Sequence, residues 1–244
     1  MNKSMISIYI TLGIILFSLQ INAEVPDSLS KKVNYYKSKY KVNCLNQKIT
    51  NNFGDGFKSL YGTRNMKPIL HGIAYRGGGN NYYHKTNKRD NHNPLPIDGL
   101  LNLTEDGFSN AVYLYSKNFS KTDTLFVSKS GKDTLKYYQN SGNDRKGLKT
   151  LLEMVYQSIK QPSIGPVYLH CWNGWHQSGY IAAAILMQFC DFTNDMALDY
   201  WIENTDGASK GYENVKSRIK NFVPFDDMPI EKEIKSLICP CLKQ

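Results

Sequence analysis

The sequence predicts an α/β fold with a mainly parallel central sheet and helices on both faces. Two observations lead to it. Short apolar runs alternate along the chain with amphipathic helical periods, the pattern of repeated strand–helix–strand units. One such run, Pro166 to His170, is joined by a short glycine-containing loop to a strongly apolar helical segment, Gly179 to Cys190. The composition agrees. The 244 residues suit one domain plus an extension, and 41% hydrophobic with 21% charged residues is close to the globular average. No heptad and no fixed repeat runs through the chain, which excludes coiled coil and solenoid.

The elements follow in order. Residues 24–65 are polar and basic, with Tyr35, Tyr36 and Tyr40 but few aliphatics, and read as an extension draped on the domain. Gly72 to Arg76 is a short strand that stops at Gly77-Gly78-Gly79, where the backbone turns or is closely approached. Asn80 to Pro96 is a long polar loop of the kind that often carries function. Leu100 to Leu103 reads as a buried strand. Asp106 reads as the start of a helix with Phe108, Ala111, Val112 and Tyr115 on its apolar face. Thr124–Val127 and Thr134–Tyr138 are strands around a Ser130-Gly131 turn. Leu148, Leu151, Leu152, Val155 and Ile159 recur at helical spacing and predict a helix over 147–160. Pro166 to His170 is a strand and Gly179 to Cys190 a helix. Further helices are expected over Ala197–Asn204 and around Tyr212, Val215, Ile219 and Phe222. The domain is placed at 66–226, with a tail over 227–244.

The first 23 residues read as an address. Lys3 gives a positive start, Ile6 to Phe17 is almost unbroken in its apolarity, and Ala23 is the small residue expected before a cleavage site. The apolar run is roughly a dozen residues, short of the ~20 a spanning helix needs. Residues 1–23 are therefore expected to be a signal peptide, cut between Ala23 and Glu24, and the protein to be periplasmic or secreted with no membrane span after cleavage. Export permits disulfides among the five cysteines. Cys171 is the candidate free thiol. A bridge from Cys44 to Cys239 or Cys241 would staple both ends of the chain, and Cys190 is either paired or simply buried. No Cys or His cluster has zinc spacing, and no metal or cofactor is expected.

The formal charge is +9, which suits an anionic partner. The basic residues are scattered, with the densest group at Lys85 to Arg89, and no stripe interleaves them with aromatics as single-strand binders do. A phosphorylated or otherwise anionic small molecule or protein is the expected partner, and nucleic acid is not.

One segment carries chemistry: Val167-Tyr168-Leu169-His170-Cys171-Trp172-Asn173-Gly174-Trp175-His176-Gln177-Ser178-Gly179. A buried strand ends at His170-Cys171, a short loop with Gly174 follows, and a helix begins. Loop amides and the free N–H groups at a helix start make an anion cradle. A positive field at its mouth favours the anionic, nucleophilic form of a thiol. Ser178, placed at the N-cap, is within reach of the sulfur. Trp172 and Trp175 flank Gly174 and either shape the rim of a pocket or pack the loop onto the domain.

This segment resembles the signature loop of the protein-tyrosine-phosphatase superfamily, especially its dual-specificity branch: His-Cys, five residues, Arg, Ser or Thr, Gly. His170, Cys171, Gly174, Ser178 and Gly179 match it. Tyr75-Arg76-Gly77-Gly78 is similar to the opening strand of that branch, and Gly99 to Leu103 to the strand that follows. The resemblance covers roughly residues 66–225 and implies a cysteine-phosphatase fold. It also implies a reaction in which Cys171 attacks phosphorus while an upstream Asp, here Asp144, protonates the leaving oxygen and later activates water. Residues 172–178 would bind the phosphate, with His170 and Arg76 in support. Asp144 has a rival reading as the cap of the following helix, which Asn143 shares.

The sequence departs from the family at Gln177, which stands where the family carries its arginine. A neutral amide cannot make the arginine's bidentate charged pair. Loss of one transition-state donor lowers turnover by roughly 10²–10³. His176, Arg76 and Arg145 are candidate replacements, and each has a rival reading as a solvated or packed side chain. The expectation is a phosphatase-like protein of reduced or atypical activity, with an inactive pseudophosphatase that binds an anionic ligand or a protein as the alternative.

Overall fold

The structure is a computed structural model that describes residues 25–79, 94–116, 119–120 and 122–242. The expected signal peptide and most of the loop after Gly79, with its basic group, lie outside the described residues. Six strands form one sheet: β1 (Thr63–Leu70), β2 (Ala74–Gly79), β3 (Asn110–Tyr113), β4 (Leu125–Val127), β5 (Thr134–Gln139) and β6 (Val167–Cys171). Their order across the sheet is β1-β2-β6-β3-β5-β4. The four inner strands are parallel, and β1 and β4 add to the edges antiparallel. The helices described are α1 (Asp27–Tyr40), α2 (Ile97–Glu105), α3 (Arg145–Lys160), α4 (His176–Phe189), α5 (Asn194–Glu203), α6 (Glu213–Lys220) and α7 (Lys232–Ile238).

Alternation along β6 sorts the core into two layers. Val167 and Leu169 face a layer built from α3, α4, α5, α6 and α7. Tyr168 faces a second layer that holds Leu100 and Leu103 of α2, with Tyr75, Phe108, Tyr113 and Tyr137. The expected α/β architecture, with helices on both faces, is therefore present.

Two elements depart from the sequence reading. Leu100–Leu103 lies in α2, not in a strand. Leu100 and Leu103, three apart, are buried, whereas Leu101 between them is exposed, so the segment has helical sidedness. The expected helix from Asp106 is instead β3, inserted between β6 and β5. Ala111 and Val112 are buried on opposite faces of the sheet, and an apolar run buried on both faces carries no period-two signal.

The extension is more integral than its composition suggests. Leu29, Val33, Tyr36 and Tyr40 on α1 are all buried, at spacings of three and four that define one helix face. The boundary expected at 65/66 falls inside β1. Disulfides join Cys44 to Cys241 and Cys190 to Cys239, and Cys171 is free. Among the described residues no helix is long and apolar enough to cross a membrane.

Candidate active site

The Cys171 loop is set by what lies behind it. β6 delivers Cys171 at the carboxyl end of a central parallel strand, beside Gly78 of β2. The loop then crosses directly over the end of β2. A Cβ on Gly78 would overlap the carbonyl oxygen of Trp172. Gly174 has φ +76°, and a Cβ there would lie 2.6 Å from the carbonyl carbon of Gly77. The glycine run at 77–79 thus provides the close approach its sequence implied.

Two buried side chains grip the loop from the sheet side. Asn65 Nδ2 donates to the carbonyls of Asn173 (3.3 Å) and Gly174 (3.4 Å). Arg76 Nη1 donates to the Gly174 carbonyl at 2.7 Å, and its Nη2 reaches the Asn204 carbonyl at 3.4 Å. In a planar trans peptide the N–H points opposite to the C=O. With the carbonyls of 173 and 174 held inward, the N–H groups of Gly174 and Trp175 face the other side of the loop. That is the polarity an anion cradle requires. Arg76 is fully buried, so it shapes the loop from behind.

His170 is the second anchor. It is fully buried in a stack with Tyr113, Tyr137 and Tyr168. Its Nδ1 lies 3.2 Å from the Cys171 carbonyl and its Nε2 lies 2.7 Å from Tyr137 Oη. The carbonyl can only accept, so Nδ1 carries the proton and Nε2 accepts from the tyrosine, whose own oxygen accepts from the Leu95 N–H. Burial pushes the His170 pKa down to about 3, which keeps the ring neutral.

Cys171 is buried, with its Sγ 3.4 Å from Ser178 Oγ. Ser178 is the third residue of α4, not its N-cap; Trp175 holds the cap position and makes no side-chain cap bond. From the first turn the Ser178 hydroxyl is placed to donate to a thiolate. Above the loop lies a cleft of about 680 Å³, lined by Cys171, Trp172, Asn173, Trp175, His176 and Gln177, with Ser141 and Asn143 across it and Tyr212 and Arg218 along one wall. The expected phosphate-binding residues are thus together around one opening, apart from Gly174 and Ser178, which support it from below.

The individual roles differ from a simple cradle. The Gln177 amide donates to the Ser141 carbonyl and to Asn143 Oδ1 (3.1 Å), so it ties the 141–143 loop to the start of α4. His176 stacks on Tyr212 with ring centroids 3.6 Å apart, and its Nε2 donates to the Ala208 carbonyl at 2.6 Å. Burial lowers its pKa, so it is a neutral strut and not the cation sought beside Gln177. Trp172 is buried against the Arg64 guanidinium, and Trp175 donates from Nε1 to Asp206 at 3.2 Å. Both indoles line the cleft while being fixed to the domain.

Asp144 caps α3: its Oδ1 accepts from the Gly147 N–H at 2.7 Å, and it does not line the cleft. None of the described residues that do line the cleft is a carboxylate. Arg145 points elsewhere. It donates to the Val223 carbonyl and stacks on Phe225, 4.0 Å from the ring centroid. Sequence reasoning missed Asn65 and Arg218. Asn65 lies in a strand the sequence did not reveal, and Arg218 is one of three basic residues, with Lys216 and Lys220, on an amphipathic helix, a pattern that ordinarily signals a solvated face. Among the described residues no cluster of His, Cys, Asp and Glu could hold a metal ion.

No protein-family model matches the chain, and no curated protein matches it. Solved structures do. The chain is similar to the core catalytic domain of the PP-IP phosphatase SIW14 from S. cerevisiae, at 18% identity and a TM-score of 0.40, covering 70% of this chain and 89% of that one. It is similar to TpbA from P. aeruginosa at 12% identity and a TM-score of 0.43, over 70% and 88% of the two chains. Tk-PTP in its active form matches at 15% identity and a TM-score of 0.42, over 62% and 94%. What the chain does chemically rests on the side chains around Cys171.

Proposed function

We propose that the chain is an exported, cysteine-dependent phosphatase of atypical activity that acts on a phosphate monoester through a phosphocysteine. The observation that carries this reading is the placement of Cys171. It is a free thiol at the foot of a cleft, next to a hydroxyl in the first turn of α4, on a loop whose carbonyls Asn65 and Arg76 hold away from the opening.

In the proposed reaction the Cys171 thiolate forms an S–P bond as the P–O bond to the alcohol breaks. The electron pair leaves with the oxygen, which takes a proton from water. A second water then attacks phosphorus, the S–P bond breaks, and thiolate and inorganic phosphate are regenerated. The loop N–H groups and the start of α4 stabilise the equatorial oxygens. With Asp144 engaged as a helix cap, protonation of the leaving group is unassisted. Aryl and acyl phosphates, whose leaving groups are acidic, are then better substrates than alkyl phosphates. Export is supported by the leader-like first 23 residues and the two disulfides.

A second reading has its own support. Gln177 is occupied in tying down a loop, and no described carboxylate lines the cleft, as suits a pseudophosphatase that holds an anionic ligand without turnover. The test is hydrolysis of an aryl phosphate by the mature protein, with Cys171→Ser as control. Turnover abolished by that substitution supports the enzyme; turnover equal in both proteins overturns it.

A further inference from the structure

We infer that Arg218, on α6, supplies the positive charge that the Cys171 loop lacks, and pairs with the anion bound over Cys171. The inference rests on the anion-binding reading of that loop. It goes beyond it by locating the counter-charge on a helix later in the chain.

Three observations lead there. Arg218 is the single charged side chain among the described residues that line the cleft with Cys171; the other lining side chains are neutral amides, hydroxyls, aromatics, aliphatics and His176, whose pKa burial lowers. Its guanidinium is held in a defined place: Nη1 donates to Asn143 Oδ1 at 2.6 Å, and Cζ lies 5.7 Å from the centre of the Tyr180 ring of α4. That same Asn143 oxygen accepts from Gln177 Nε2 at 3.1 Å. Position 177, where the resemblance expects arginine, is thus one shared acceptor away from an arginine delivered by a different element.

Arg218 is partly buried as a residue, its guanidinium bond to Asn143 is exposed, and it carries no carboxylate partner among the ion pairs described. One nitrogen is used by Asn143, which leaves further N–H donors of the fork for an oxyanion. A guanidinium held at the rim of a cleft attracts a dianion that binds within a few ångströms of it. Gln177 then acts as a positioning residue. By fixing Asn143 it fixes the arm on which Arg218 leans.

The experiment uses the full mature chain and two readouts. The first is alkylation of Cys171 by neutral iodoacetamide, with inorganic phosphate as the protecting anion. Each variant is normalised to its own unprotected rate, and its folding is checked by thermal melting. Arg218→Gln is expected to raise the half-protecting phosphate concentration on the order of tenfold or more, the scale of one charge-assisted contact. Arg218→Lys, which keeps charge but loses the fork, is expected to fall between Arg218→Gln and wild type. Equal protection in wild type and Arg218→Gln, or no protection of wild type at all, overturns the inference.

The second readout is aryl-phosphate turnover in a four-protein cycle of Arg218→Gln and Gln177→Arg. Arg218→Gln is expected to lower kcat/KM by about 10², and Gln177→Arg to restore most of it. In the wild-type background, where a cation already serves, Gln177→Arg is expected to gain less. Strictly additive effects overturn the inference. Wild-type turnover independent of Cys171 defeats the phosphatase reading alone, since phosphate protection still decides the role of Arg218.

Discussion

The amide of Gln177 and the carboxylate of Asp144 both have partners inside the protein, and that determines what each can contribute. Gln177 bonds the 141–143 loop, and Asp144 bonds the Gly147 N–H at the start of α3. Asparagine caps a helix about as well as aspartate, so Asp144→Asn separates the cap from acid catalysis. The expected result is an unchanged melting temperature and kcat/KM within about threefold of wild type, since general-acid assistance removed would lower the rate by ~10²–10⁴. A loss of that size, with stability intact, would show that Asp144 reaches the leaving group during turnover. Asp144→Ala is expected to lower stability by about 1 kcal/mol through loss of the cap, measured by urea unfolding. At this scale the sequence was informative about types but not partners. His170, Cys171, Gly174 and Ser178 were legible because a strand, a loop and a helix start follow one another in the chain. Arg218 was not, because what makes it a site residue is a contact with Asn143, far away in sequence.

The elements that matter most are the end of β2 and the loop lying on it. Gly78 has no room for a side chain against the Trp172 carbonyl, and Gly174 has none against Gly77. Gly78→Ala is therefore expected to lift the Cys171 loop. Aryl-phosphate kcat/KM should fall by on the order of 10², the penalty for misplacing a reacting group by about 1 Å. Stability should fall by roughly 1–3 kcal/mol through overpacking. Steady-state kinetics and urea unfolding read both, and a variant with wild-type turnover would mean that the loop does not depend on this approach. The glycine run was legible as a place of close approach, and three of the four parallel strands, β2, β5 and β6, were legible from the alternating pattern. The errors have separate causes. β3 is buried on both faces, α2 is short, and α1 hides its apolar stripe among lysines and tyrosines.

Across the whole molecule, two features tie stability to the surroundings. The Cys44–Cys241 bridge joins residues 197 apart and the Cys190–Cys239 bridge residues 49 apart, so both constrain long loops of the unfolded chain. Reduction is expected to lower stability by roughly 2–5 kcal/mol per bridge, seen as a lower melting temperature under dithiothreitol. The second feature is acid sensitivity. Burial lowers the pKa of His170 to about 3 and that of His71 to about 4, against an ordinary value near 6.5. Below pH 6.5 the unfolded chain binds protons that the folded chain does not, so stability falls as pH drops from 6.5 toward those folded values. Urea midpoints between pH 7 and 4 are expected to decline, and less steeply in a His71→Gln variant compared with its own value at pH 7. A flat profile would mean that these rings are not held neutral.

The central claim is that Cys171 is a nucleophile in an anion-binding loop, and rapid-quench trapping tests it most directly. Mature protein is mixed with a ³²P-labelled aryl phosphate, stopped in acid within the first turnover and digested. The account predicts label on the peptide that contains Cys171, as an S–P linkage, and none in Cys171→Ser. No label on Cys171 in wild type, while phosphate still protects the thiol from alkylation, would contradict it and leave a binding module in its place.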